Sequence, residues 1–117
     1  MVHYNDLLAD LDGEMRSIAR FLDIHIPEEQ WPALVNAASF HFMREHGAAL
    51  MPRAAQGWDK GAERFLNAGT NGRWRDVLTA EDISLYEARV RRELSPNLAR
   101  WLELGSRVTG EPRTLPG

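Results

Sequence analysis

Few residues in this chain are equipped for chemistry. There are four imidazoles (His3, His25, His41 and His46), no cysteine, and one lysine, Lys60, among fourteen basic residues. Without cysteine there is no disulfide framework, no thiolate metal site and no cysteine nucleophile. A single lysine leaves little for a phosphate-loop lysine or a Schiff base. His41 and His46 lie five apart, which on a helix turns them about 140° from a common face. No carboxylate cluster adds further ligands, so no metal site is expected. Gly69-Thr70-Asn71-Gly72 reads by itself as a pair of turns. Arg89-Val90-Arg91-Arg92, flanked by Glu87 and Glu93, reads as a solvated helix face. Asn71-Gly72-Arg73-Trp74-Arg75 could serve a nucleic-acid binder, but the net charge is −3 and no overall positive field supports that use.

The elements that must position these residues belong to an ordinary globular chain. Of its 117 residues 44% are hydrophobic and 26% charged, as expected for one compact domain. Residues 1–60 carry five basic and nine acidic side chains, and residues 61–117 carry nine and eight. An anion site therefore belongs more naturally in the second half. No apolar run approaches the ~18 residues of a membrane span, and the N-terminus lacks a signal-peptide pattern. A cytoplasmic protein is the expectation.

Periodicity predicts a mainly α fold of about five helices with at most one short N-terminal strand, Val2-His3-Tyr4. Leu11, Met15, Ile18 and Leu22 mark a helix over 11–22. Pro27-Glu28-Glu29 opens a second over 28–38, with Trp31, Leu34, Val35 and Ala38 inward and Pro32 tolerated near the first turn. Ser39 caps a third that holds Phe40, Met43 and Leu50, its second half weakened by Gly47. Residues 51–76 show no period and read as a long loop carrying Trp58, Phe65 and Trp74. Thr79-Ala80-Glu81-Asp82 is a capping-box variant for a helix with Ile83, Tyr86, Val90 and Leu94 on one face. Ser95-Pro96 starts the last, with Leu98, Trp101 and Leu102 inward and Gly105 as its stop. The expected organisation is one domain over 1–105 with a flexible tail over 106–117.

Three segments in order resemble the C-terminal part of the sulfotransferase family that uses 3′-phosphoadenosine 5′-phosphosulfate (PAPS), an α/β P-loop-like fold. Val2-His3-Tyr4-Asn5-Asp6-Leu7-Leu8 is similar to the family's Tyr-Glu-Asp-Leu element. Ala38-Ser39-Phe40-His41-Phe42-Met43 resembles its Thr-Ser-Phe-x-x-Met helix start. Phe65-Leu66-Asn67-Ala68-Gly69-Thr70-Asn71-Gly72-Arg73-Trp74-Arg75 resembles its Phe-x-Arg-Lys-Gly-x-x-Gly-Asp-Trp-Lys/Arg signature, and Leu78-Thr79-Ala80-Glu81 its Leu-Thr-Pro-Glu helix start. The resemblance implies that Tyr4, Ser39, Phe40 and Met43 line the adenine site of PAPS or of its product PAP. It implies that Asn67, Ala68 and Gly69 cradle the 3′-phosphate, where a glycine permits close backbone approach and successive N–H groups can form an anion nest. Trp74 would anchor that loop.

The departures from the family pattern carry equal information. Its Arg-Lys pair is Asn67-Ala68 here, which removes two charge-assisted contacts. At about 1.5–3 kcal/mol each, their loss weakens phosphate binding by roughly a hundredfold or more. Arg73 replaces the acidic residue before the tryptophan, and Ala38 replaces a threonine. The family's glycine-rich 5′-phosphosulfate loop, its lysine and its catalytic histidine have no counterpart in these 117 residues, so no catalytic residue is assigned. The expectation is a sulfotransferase fragment, incomplete alone, that transfers a sulfuryl group to a hydroxyl or amine only when complemented by an N-terminal sulfotransferase segment. Apolar faces left uncovered would favour a homodimer. The alternative is a non-enzymatic helical interaction and oligomerisation module that has lost the nucleotide.

Overall fold

The computed structural model describes residues 1–53, 57, 59, 61–66 and 68–110. Among them the fold is mainly α, and no strand is formed. Val2-His3-Tyr4, where at most one short strand was expected, leads into a helix start. His3 keeps an extended backbone, but its Nδ1 accepts the Asn5 N–H at 3.1 Å and so caps α1, Tyr4–Ala9. A β-compatible triplet with no partner strand has no ladder to satisfy its amides, and the helix cap does so instead.

The amphipathic helices form where their periodicity places them. Helix α2 is Leu11–Phe21, α7 is Ala80–Glu93 with the full Thr79–Asp82 capping box, and α8 is Pro96–Leu104, capped by Ser95 and stopped at Gly105. Three interruptions differ from expectation. The second helix divides into a 3₁₀ turn, Glu28–Gln30, and α3, Trp31–Ala37. A continuous helix from Glu28 would place Pro32 where its ring meets the Glu28 carbonyl, so the helix restarts with Pro32 in its first turn. The third divides at His46 into α4, Phe40–Glu45, and α5, Gly47–Leu50. The expected loop over 51–76 contains α6, Ala62–Phe65, and a second 3₁₀ turn, Arg73–Asp76. Trp58 lies outside the described residues.

The chain groups into two compact units, a central one from Leu11 to Thr70 and a terminal one from Met1–Asp10 with residues 71–117. In the central unit Trp31 and Ala19 are buried. Arg16 lies 4.5 Å over the Trp31 ring and donates to both Asp12 oxygens and, in a fork at 2.7 and 2.6 Å, to Glu28. These hydrogen bonds hold the Glu28 carboxyl below its usual range and make the guanidinium harder to deprotonate.

In the terminal unit Trp101 is buried and its indole N–H donates to Ser106 Oγ. Asp6, 2% exposed, accepts the backbone N–H groups of Ser106 and Arg107 at 2.7 and 3.1 Å. It thereby caps α9, Ser106–Thr109. The stretch expected to begin the flexible tail thus starts with an ordered helical turn, and residues 111–117 lie outside the described residues. Among the described residues no helix is long and apolar enough to cross a membrane.

Candidate functional site

The central unit brings together the two segments singled out for the nucleotide. Ser39 has extended backbone and its Oγ accepts the Phe42 N–H at 3.1 Å, fixing the start of α4. With Ser39 as cap, Phe40 is the first helical residue and Met43 sits one turn on, and all three are half-buried. The Phe42 ring stacks on His46 at 4.0 Å, and His46 Nδ1 lies 3.0 Å from the Phe42 carbonyl. This fixes the opposite end of α4.

The second segment is delivered by α5 and α6. Gly47 is buried, and a Cβ built on it would stand 2.8 Å from the Ala62 Cβ and 3.3 Å from Leu66 Cδ1. The missing side chain is what lets the two short helices touch. Gly47 was expected only to weaken a helix; its packing role needed the Ala62 contact to be visible. From Leu66 the chain runs to Ala68 and Gly69, both half-buried. Asn67 lies outside the described residues.

Gly69 has φ +59, a left-handed conformation that side chains resist. A Cβ there would lie 2.8 Å from both Phe40 Cγ and Cδ2 and 3.1 Å from Cδ1. Near-equal distances to these three atoms put the Gly69 backbone over one face of the ring. Ser39, Phe40 and Gly69 therefore form one packed group, with Met43 on the same helix as the first two. The arrangement offers an aromatic platform, a capping hydroxyl that retains a proton to donate, and a glycine backbone. It offers no side-chain cation among Ser39, Phe40, Met43, Ala68 and Gly69, so the fit is better to an adenine ring than to a phosphate.

Tyr4 belongs to the terminal unit, where it opens α1 and is 46% exposed. In that unit Trp74, read by resemblance as the anchor of the loop, is 45% exposed, with the Arg75 guanidinium 4.8 Å from its ring centroid. Trp74 lines an open groove of about 640 Å³ with Leu78, Ile83, Tyr86 and Val90 on one side and Leu102 on the other. The sequence reading placed Gly105 as a helix stop and Asp6 within the N-terminal motif, and their contact with each other escaped it. Asn5-Asp6 signals a local cap, whereas the helix that Asp6 caps lies a hundred residues away.

A capped aromatic packed against a glycine loop in a mainly helical chain does not by itself define a class of protein. Comparison with known proteins does: the Sulfotransferase domain family model matches residues 1–98, and the chain belongs to that family. It is 30% identical over 107 residues to a glycolipid sulfotransferase of Mycobacterium bovis, covering 92% of this chain and 33% of that protein. It is 25% identical over 95 residues to sulfotransferase 1A1 of Bos taurus, covering 79% and 32%. The chain thus spans about a third of the length of the curated relatives it matches. No solved structure matches it at a comparable level of significance.

Proposed function

We propose that this chain supplies the adenine and 3′-phosphate side of a PAPS donor site, within a sulfotransferase that is completed by sequence not contained in these 117 residues. The observation that carries this reading is the packing of Gly69 on the Phe40 ring beside the Ser39 cap. Phe40 presents its ring to the base, with Met43 bordering the same side and the Ser39 hydroxyl within reach of a ring nitrogen. Ala68 and Gly69, with Asn67, approach the 3′-phosphate through backbone N–H groups. Tyr4 carries an adenine role by resemblance alone. PAPS, when bound, supplies the sulfuryl group; this chain's residues bind and orient its nucleotide end and perform no bond-making step. Turnover by the isolated chain is not expected.

Calorimetric titration with adenosine 3′,5′-bisphosphate tests this reading. Binding that saturates in the micromolar range supports it. An Ala68→Lys variant, restoring one charge-assisted phosphate contact, should bind roughly ten- to a hundredfold more tightly. If neither protein binds, the donor-site reading fails and the helical interaction module takes its place. That second reading is favoured by the exposed apolar side chains Trp74, Leu78, Tyr86 and Leu102 in one groove, which Glu87, Arg91, Arg100 and Glu103 also line.

A further inference from the structure

We infer that Gly69 is a positioning residue for the Phe40 ring, so that the phosphate loop and the base platform are one coupled element; the nucleotide consequence rests on the donor-site reading above. Three observations meet here. Gly69 holds a left-handed φ of +59, so its backbone direction is fixed by a conformation few other residues adopt. Its Cα region covers one face of Phe40 so closely that a methyl group at Cβ would stand 2.8 Å from two ring carbons. Phe40 is the first residue of α4, with its backbone held by the Ser39 cap, so the ring cannot retreat without breaking that cap or leaving its rotamer. A Cβ at position 69 must therefore tilt the ring.

The consequence is specific to the base. Whatever orders residues 68–70 also fixes the face of Phe40 that is left for stacking. Gly69 therefore sets affinity for a purine through Phe40, separately from the contact its own amide makes with phosphate.

The test combines ligand selectivity with a ligand-free signature. In the unliganded wild-type chain the Gly69 Hα resonances should be shifted strongly upfield by the Phe40 ring current and return to ordinary values in Phe40→Leu. Gly69→Ala should weaken adenosine 3′,5′-bisphosphate binding by about tenfold more than it weakens binding of base-free ribose 3,5-bisphosphate, the scale of one aromatic–base stack. In a Phe40→Leu background, Gly69→Ala should then weaken the nucleotide no more than it weakens ribose 3,5-bisphosphate. An unshifted Gly69 Hα overturns the inference, as does equal weakening of both ligands by Gly69→Ala. If wild-type chain binds neither ligand, the donor-site reading has failed, and the ring-current shift alone decides whether Gly69 holds Phe40.

Discussion

At the scale of the residue, Asp6 shows how much a single carboxylate can organise. It is buried with both oxygens engaged by the amides of Ser106 and Arg107, and Gly105 makes room for it. A Cβ at Gly105, where φ is +86, would stand 2.7 Å from Asp6 Oδ1 and 2.9 Å from His3 Nδ1. Asp6→Ala abandons two hydrogen bonds to a charged acceptor and should cost about 2–4 kcal/mol in urea unfolding. Gly105→Ala should destabilise the same unit, because it adds both strain and a clash. Asp82 works at the surface instead. Hydrogen bonds from the Thr79 hydroxyl and backbone hold its carboxyl below the ordinary value of 3.8. A pKa lowered on folding means the cap contributes fully above that value and is lost as pH falls through the folded one. Protection of the first α7 amides against hydrogen exchange should therefore fall in acid below about pH 4, and Asp82→Asn should remove most of that dependence.

At the scale of the element, what could be read from sequence was what repeats locally. Helices α2, α7 and α8 follow from apolar spacing, α7 and α8 also from the caps at their starts, and the Ser39 cap of α4 was equally visible. Gly47 accepting Ala62 was not, because it depends on a neighbour outside any helical period, whereas the break at Pro32 follows from a clash with a carbonyl only four residues earlier. The same limit applies to the site. Nothing in the spacing of Phe40 and Gly69 says that they touch; only the family resemblance put both on one ligand, and the structure then gave the contact. Gly47→Ala separates the two kinds of information. Helix propensity alone favours alanine by about 1 kcal/mol, whereas a methyl 2.8 Å from the Ala62 Cβ overpacks a buried contact at about 1–3 kcal/mol. Packing should prevail: the variant is expected to melt earlier than wild type, and its Gly69 resonances should move, since α6 leads directly into that loop.

At the scale of the whole molecule, few apolar side chains are buried among the described residues. Trp31 and Ala19 form the buried apolar centre of the central unit and Trp101 that of the terminal one, while Val77, Leu85 and Tyr86 are 78%, 66% and 67% exposed. Scattered apolar side chains are normal on a surface, but Trp74, Leu78, Ile83, Tyr86 and Leu102 share one groove with Glu87, Arg91, Arg100 and Glu103, and clustered exposed apolar surface favours association. Isolated chain should therefore self-associate as its concentration rises, with light scattering giving masses above the 13.3 kDa monomer. Tyr86→Asp places a charge in the groove without touching the α7 cap, and should shift the distribution back toward monomer. A clean wild-type monomer at high concentration would show that the groove tolerates water and that apolar exposure here does not drive assembly. A Tyr86→Asp variant that associates as wild type does would move the contact to another face, with Leu85 and Val77 the next residues to change.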